Sequence, residues 1–256
     1  MSVLRVENLT LRFGGLVAVN QLSFTIGSRS ISSIIGPNGA GKTSVFNMIT
    51  GFYQPTSGEM YLDDQRLNGR KPSEITQMGL ARTFQNLRLF PNVSVLDNVK
   101  AGMHCRTRQG VWGALLRTKK QRAEERQIEE MAHEYLRFVG IGDYAYRLAK
   151  HLPYGAQRYL EIARALATQP SFLLLDEPAA GLNHAERGQL IELIRRIRDT
   201  YNLTVLIIEH DMALIKQISE QVVVLDYGHK IAEGTPDEVL QHPRVIEAYL
   251  GKEEVV

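Results

Sequence analysis

The chain has 256 residues, with 30 Lys and Arg against 28 Asp and Glu, so its formal charge is +2. Hydrophobic residues make up 44% and charged residues 23%, which excludes a disordered chain, a collagen-like chain and a coiled-coil rod. The near balance of charge offers no whole-chain argument for a nucleic-acid partner. The single cysteine, Cys105, excludes an intrachain disulfide, and no apolar run approaches the roughly 20 residues of a membrane-spanning helix. The first residues lack the apolar stretch of a signal peptide, so we expect a cytoplasmic or membrane-peripheral protein.

The predicted elements alternate between strands and helices over most of the chain. Residues 3–13 predict an edge strand, residues 30–35 a short apolar strand, and residues 41–50 a helix with one apolar face. Further strands are predicted at 59–62, 79–83, 172–176, 204–209 and 222–225, and helices at 185–200 and 212–219. Almost wholly apolar strands between helices are typical of a parallel sheet covered on both faces.

Residues 94–168 differ from this pattern because their apolar residues recur at helical spacing throughout. The segment begins with a capping box, in which Ser94 is followed three residues later by Asp97. A second helix start is predicted at Thr235, which precedes a proline. The α/β core is therefore predicted to be interrupted by a helical insertion.

The strongest local motif is Gly-Pro-Asn-Gly-Ala-Gly-Lys-Thr at residues 36–43, between a predicted apolar strand and a predicted helix. Its glycines let the backbone N–H groups wrap a phosphate at a helix N-terminus, where the helix dipole favours anions. Lys42 is expected to reach the β- and γ-phosphates of a nucleotide, and the Thr43 hydroxyl to bind Mg²⁺. The motif therefore predicts a phosphate-binding loop.

Two carboxylates follow the apolar run Phe-Leu-Leu-Leu at residues 172–175. Asp176 ends this strand at the carboxyl edge of the sheet, where open α/β folds bind their ligands, and is expected to bind Mg²⁺ directly or through water. Glu177 is then placed to orient or deprotonate an attacking water. Together with the phosphate loop, this pair predicts a nucleotide hydrolase.

With these two motifs the chain resembles the ATP-binding cassette (ABC) ATPases from about residue 4 to residue 251. Phe13, Gln85, residues 152–157 and His210 follow in the order of that family. The resemblance implies that Phe13 stacks on adenine, that Gln85 contacts Mg²⁺ and couples to membrane partners, and that His210 touches the γ-phosphate. Each also has a structural alternative: Phe13 as a core residue, Gln85 as a solvated amide, and His210 as a structural histidine.

The resemblance implies one ATP site that two chains complete. Its catalytic residues are Glu177, His210 and Lys42. ATP contacts come from Phe13, Gly36, Pro37, Asn38, Gly39, Ala40, Gly41, Lys42, Thr43, Ser44 and Gln85, and the Mg²⁺ ligands are Thr43, Gln85 and Asp176. The signature motif of a second chain acts in trans through Tyr154, Gly155, Ala156 and Gln157, and the neighbouring D-loop contributes Asn183.

The signature motif departs from the usual Leu-Ser-Gly-Gly-Gln of the family. Pro153 stands for the serine, Tyr154 for the first glycine and Ala156 for the glutamine, ahead of a helix predicted from residue 158. Proline suits a first helical turn, but the lost hydroxyl removes one donor to the phosphate. Asn183 stands where the family usually has Asp. Both variants resemble the ATP-binding subunits of branched-chain amino-acid importers, and residues 110–117 resemble an insertion in the larger of the two.

The same resemblance implies the architecture and the partners. The expected fold is α/β, with a P-loop (RecA-like) core sheet, an N-terminal antiparallel β part and an inserted α-helical subdomain. Residues 3–251 form a single ATPase domain, in which 1–90 and 160–256 make the core and 91–159 the helical subdomain. The expected partners are a second ABC ATPase chain, transmembrane permease subunits and, indirectly, a substrate-binding protein, with no nucleic acid. The expected location is the cytoplasmic face of the inner (plasma) membrane.

Other readings stay open on the sequence. Within transporters, the substrate could be urea or a short amide, or the chain could serve lipopolysaccharide export. Outside transporters, a soluble ABC ATPase of DNA repair would need a long coiled coil, for which residues 94–158 are too short. A soluble ABC ATPase of translation would need two phosphate loops, whereas this chain has one. A P-loop kinase would leave the signature motif and His210 unexplained.

The charge is distributed unevenly along the chain. Residues 100–126 contain eight Lys and Arg and two Glu, a local charge of +6, which leaves −4 for the rest. This stretch is either a solvated helical face or a surface that lies near anionic lipid headgroups or the membrane subunits.

Overall fold

The structure, a computed structural model, describes residues 2–103 and 119–250. The described chain divides into two compact units. The first unit contains the chain up to Arg82 and from Ser171 onward, and the second unit is Thr83–Pro170. The described residues do not include Cys105 or residues 110–117. They also leave out most of the basic side chains of residues 100–126.

Within the described residues, the strands belong to the first unit and form two sheets. In chain order they are β1 (Leu4–Phe13), β2 (Leu16–Ile26), β3 (Ile31–Ile35), β4 (Ser57–Leu62), β5 (Gln65–Arg66), β6 (Leu80–Arg82), β7 (Phe172–Asp176), β8 (Thr204–Ile208), β9 (Gln221–Asp226) and β10 (His229–Gly234). The larger sheet has the order β10-β9-β3-β8-β7-β6, parallel except between β9 and β10. Every residue of β3, β7 and β8 is buried, which confirms the predicted parallel sheet covered on both faces.

The smaller sheet is antiparallel, with the order β2-β1-β4-β5. The prediction of an edge strand at residues 3–13 is wrong, because β1 pairs with β2 on one side and β4 on the other. The sequence pattern also misses β2, whose alternation breaks at a bulge. There Asn20 and Gln21 lie opposite the single residue Thr10, and the Gln21 N–H donates to the Thr10 hydroxyl over 3.0 Å.

The α-helices of the described residues, in chain order, are α1 (Lys42–Ile49), α2 (Pro72–Gln77), α3 (Val95–Met103), α4 (Lys119–Phe138), α5 (Tyr154–Ala167), α6 (His184–Tyr201), α7 (Met212–Ile218), α8 (Pro236–Leu240) and α9 (Pro243–Leu250). In the described part of the chain, no helix is long and apolar enough to cross a membrane. Helices α3, α4 and α5 pack on one another and build the second unit, as the helical pattern of residues 94–168 predicts.

Local signals place most helix starts correctly. The Ser94 hydroxyl accepts the Asp97 N–H at 3.0 Å and donates to the Asp97 carboxylate at 2.6 Å, so Ser94 caps the predicted helix start, with its hydroxyl and not its backbone N–H bound to Asp97. Thr235 caps α8 with a full capping box, in which Glu238 accepts the Thr235 N–H. The exception is α5, which begins four residues before the predicted start at residue 158. Pro153 is its N-cap, so residues 154–157 form the first helical turn instead of a loop ahead of it.

Candidate functional site

The phosphate loop, residues 36–43, joins buried β3 to α1. Because α1 begins at Lys42, the N–H groups of its first turn have no acceptor within the helix and point out of its N-terminus. Gly39 (φ 83°) and Gly41 (φ 101°) both adopt left-handed backbone conformations. A Cβ atom on Gly41 would lie 2.6 Å from the Ala18 carbonyl oxygen, so only glycine fits there. The loop therefore has the backbone geometry that binding an anion requires.

The Lys42 side chain is buried and lies along this loop. Its Nζ donates to the carbonyl oxygens of Gly36 at 2.6 Å and Pro37 at 2.9 Å. Burial lowers the pKa of Lys42, while the carboxylates of Glu177 and Asp176 oppose this shift. The structure thus brings the predicted phosphate ligand and both predicted acidic residues into one electrostatic neighbourhood.

Asp176 ends β7 and forms a buried ion pair with Arg82, which the sequence reasoning missed. The Arg82 Nη2 atom lies 2.7 Å from Asp176 Oδ2, and the two side chains are 5% and 4% exposed. The Nη1 atom of Arg82 donates to Asn47 Oδ1 at 2.8 Å and to Thr50 Oγ1 at 3.1 Å, both at the C-terminal end of α1. The sequence did contain a signal for this pair: Arg82 is a charged residue in the short strand β6, whose other two residues, Leu80 and Ala81, are buried.

Glu177 has a left-handed backbone conformation, with φ 46°. This conformation is uncommon for a residue with a Cβ atom and is typical of strained functional sites. Its N–H donates to the Ile208 carbonyl at 2.9 Å, which attaches the residue to the end of the neighbouring strand β8. The parallel pairing of β7 and β8 therefore sets the position of this predicted base.

Glu209 follows β8 and is a second residue that the sequence reasoning missed. It is 1% exposed, and its Oε1 atom accepts the Ala179 N–H at 2.8 Å while its Oε2 atom accepts the His210 N–H at 3.2 Å. Burial raises the pKa of Glu209, and these two N–H groups lower it. The buried carboxylate thus joins the turn after Glu177 to His210. The His210 ring is exposed, with Nδ1 3.9 Å from Glu209 Oε2.

Phe13 ends β1 as an exposed aromatic residue. Phe13 is 46% exposed, and its ring contacts the ring of Tyr53 edge to face at a centroid distance of 5.3 Å. The alternative of a core phenylalanine is therefore wrong. The position of Phe13 fits a stacking role, which stays a prediction.

The C-terminal segment also meets the phosphate loop. The Gly228 N–H donates to the Ala40 carbonyl at 3.0 Å, and the Tyr249 hydroxyl lies close to the Gly36 backbone. Burial raises the pKa of Tyr249 to about 12, against the opposing effect of the Gly36 backbone. A cavity of about 520 Å³ lies beside these contacts, lined by residues 37–40 of the loop and by α9 residues that include Arg244 and Glu247.

Gln85 and the signature motif belong to the second unit. Gln85 is exposed, Tyr154 is 46% exposed at the start of α5, and Gly155 and Ala156 are half-buried in its first turn. The Gln157 side chain donates to the Leu152 carbonyl at 2.9 Å, so its amide is used within its own chain.

Asn183, the predicted D-loop residue, is the N-cap of α6. Its side chain accepts the Glu186 N–H at 3.0 Å, and Glu186 in return accepts the Asn183 N–H at 2.8 Å. This capping box accounts for a short polar residue here, since Asn and Asp cap helices equally well.

The oxygen donors near the loop fit a magnesium ion bound with a nucleotide. Asp176 supplies a carboxylate and the exposed residue Thr43 a hydroxyl, and oxygen is the ligand atom that Mg²⁺ prefers. Among the described residues, no group of three or more His, Cys, Asp or Glu could enclose a metal alone. The donor set therefore suits an ion that takes its other ligands from phosphates and water.

Comparison with known proteins assigns the family. Residues 19–180 match the model described as ABC transporter, and residues 229–255 match the model described as branched-chain amino acid ATP-binding cassette transporter. The chain is 46% identical over 250 residues to the high-affinity branched-chain amino acid transport ATP-binding protein LivG of Escherichia coli (strain K12), covering 98% of each chain. It is 45% identical to the protein of the same description, BraF, of Pseudomonas aeruginosa, again over 98% of each.

The structural comparison agrees. The crystal structure of the ADP conformation of MJ1267, an ATP-binding cassette of an ABC transporter, matches with a TM-score of 0.85 and 30% identity. The match covers 98% of this chain and 100% of that chain. The chain belongs to the ABC transporter family, as an ATP-binding cassette with the predicted α/β fold.

Proposed function

We propose that this chain binds and hydrolyses ATP as the energising subunit of a transporter that imports branched-chain amino acids. The observation that carries the ATPase proposal is the buried Lys42 side chain on the phosphate loop after β3, in the same parallel sheet whose strand β7 ends at Asp176 and leads into Glu177. The substrate class is supported by LivG and BraF, whose names specify branched-chain amino acid transport, and by the match of residues 229–255.

Each residue of the site has a distinct task in this proposal. The loop N–H groups and Lys42 hold the β- and γ-phosphates, and Phe13 stacks on the adenine. Glu177, held at the end of β7 by its bond to β8, orients and deprotonates the attacking water. His210 contacts the γ-phosphate, and the buried Glu209 sets the position of its backbone. Thr43, Asp176 and Gln85 would hold Mg²⁺, which neutralises charge on the phosphates when bound.

The site is completed by a second ATPase chain, either identical or related. Tyr154, Gly155, Ala156 and Gln157 of that chain close over the ATP, together with its Asn183. Binding closes the dimer, and hydrolysis reopens it. Transmembrane permease subunits supply the pathway and a substrate-binding protein delivers the solute, so the chain works at the cytoplasmic face of the plasma membrane without nucleic acid. Residues 3–251 act as one ATPase domain.

The variant Glu177→Gln tests the proposed base. We expect ATP binding to be retained, turnover to fall by at least about 100-fold, and a dimer to accumulate in ATP, because the variant cannot accept the proton of the water. Phosphate release and size-exclusion chromatography with ATP measure these effects. Glu192→Gln makes the same change at an exposed side chain of α6 and is expected to behave as wild type. Turnover of Glu177→Gln at the wild-type rate would disprove the assignment.

The transported substrate requires the intact transporter. We expect the chain to co-purify from membranes with permease subunits, and the reconstituted complex to couple ATP hydrolysis to uptake of leucine, isoleucine or valine. Uptake of urea or a short amide would contradict the proposed substrate class. Recovery of the chain from the cytosol without a membrane partner would contradict the transporter proposal.

A further inference from the structure

A buried ion pair on α5 holds the loop that contains Gln85. Arg158 and Glu161 are each 2% exposed, and the Nη1 atom of Arg158 lies 3.3 Å from Glu161 Oε2. Arg158 also donates to the carbonyl oxygens of Phe84 at 2.9 Å and Gln85 at 2.8 Å. Glu161 accepts the Phe84 N–H at 3.2 Å and also the Arg88 N–H. Four backbone groups within residues 84–88 are therefore held by one pair of side chains.

Packing alone does not require this pair. Removing two charges from water is unfavourable, and apolar side chains of similar volume commonly stabilise a protein as well as a buried ion pair does. Burial accordingly raises the pKa of Glu161 despite the adjacent Arg158 guanidinium. Apart from their mutual contact, Arg158 and Glu161 bond mainly to backbone groups at and beside Gln85. A pair of apolar side chains could not make these hydrogen bonds.

The same arginine reaches the start of α5. Its Nη2 atom, which donates to the Gln85 carbonyl, also lies 3.2 Å from the hydroxyl of Tyr154, the first residue of the helix. Tyr154 is itself exposed. One guanidinium group thus connects the exposed first turn of α5 with the backbone of the exposed residue Gln85.

We propose that Arg158 and Glu161 are positioning residues that tie Gln85 to the first turn of α5, so that a nucleotide bound against that turn alters the placement of Gln85. The proposal rests on the proposed function, in which the first turn of α5 meets the ATP of a second chain and Gln85 meets Mg²⁺ and the permease. The pair then couples occupancy of the partner's ATP site to the permease contact of this chain.

The test replaces the pair by apolar residues of similar size in the double variant Arg158→Met/Glu161→Leu. We expect the melting temperature to change little, because neither charge is left alone in the interior. We expect hydrogen exchange of the backbone N–H groups of residues 84–88 to become at least about tenfold faster, since bonds to charged groups are lost. In the transporter complex, kcat should fall about tenfold while KM for ATP stays within about twofold.

Lys150→Ala is the matched control in the same unit. Lys150 donates to Asn92 Oδ1 at 3.0 Å on the surface, so exchange at residues 84–88 and kcat should equal those of wild type. Wild-type exchange and wild-type kcat in the double variant would overturn the proposal, because an apolar pair would then serve equally well. If the double variant does not fold, Glu161→Gln decides: unchanged exchange at Phe84 and Arg88 overturns the proposal.

The exchange measurement needs neither turnover nor transport. A wild-type chain without ATPase activity would refute the proposed function, whereas the exchange rates would still show whether the pair holds the loop. Faster exchange with unchanged kcat would refute the coupling role and leave the ATPase proposal intact.

Discussion

The buried pair between Arg82 and Asp176 makes a quantitative prediction about stability. In Arg82→Met the apolar stem is kept, but Asp176 remains 4% exposed without its 2.7 Å partner. Asn47 and Thr50 lose their donor in the same variant. Breaking a buried pair from one side typically lowers the free energy of unfolding by about 3–5 kcal/mol. For a chain of this size, that corresponds to a fall in melting temperature on the order of 10 °C.

Urea unfolding followed by circular dichroism, without nucleotide, measures this loss. The control is Arg66→Met, because Arg66 likewise pairs with a carboxylate, that of Glu59, but these two side chains are 57% and 38% exposed. We expect no measurable change in that control, since exposed pairs contribute little. A loss below about 1 kcal/mol in Arg82→Met, within the range of exposed pairs, would refute the reasoning from burial.

Three further predictions concern the ATP site. Phe13→Ala should weaken ATP binding about tenfold through lost stacking, while calorimetry with inorganic triphosphate should show unchanged affinity. Tyr249→Phe removes the hydroxyl that lies beside the Gly36 backbone and should weaken ATP binding about threefold to tenfold, whereas Tyr227→Phe, at a residue that is 86% exposed, should have no effect; equal affinities would contradict a role for this hydroxyl. Because burial raises the pKa of Glu209, the folded state loses stability as pH rises from the ordinary Glu range through that raised value. Between about pH 4 and about pH 7, the free energy of unfolding of the wild type should therefore fall progressively relative to that of Glu209→Gln. A difference between the two proteins that does not change with pH would contradict this prediction.

Much of the fold was predictable because its signals are local. The apolar run of β7 and the helix after the phosphate loop follow from spacing alone, and Ser94 and Thr235 mark helix starts through bonds three residues away. The predictions for β1 and β2 were wrong because strand pairing depends on segments that are distant in the sequence. The bulge opposite Thr10 hides β2, and β1 becomes an inner strand only because β4 pairs with it.

The signature motif is predicted at residues 152–157 from the resemblance to the family, although three of the five usual residue types differ. The helix start at Tyr154 was missed because Pro153 makes no side-chain capping bond and has no capping-box partner. Only the folded chain shows that Arg158, one turn later, binds both Tyr154 and the Gln85 backbone.

The sequence by itself determined the +2 balance, the phosphate loop, the acidic pair after β7 and the family, because each is contiguous or ordered along the chain. Tertiary structure alone revealed the burial or contacts of Arg82, Glu209, Arg158, Glu161 and Tyr249. Arg82 and Asp176 are 94 positions apart, and Arg158 and Gln85 are 73 apart, so no local spacing links them. A charged residue in a sequence is ordinarily expected at the surface, and only packing of distant segments shows which charges are buried and what they hold.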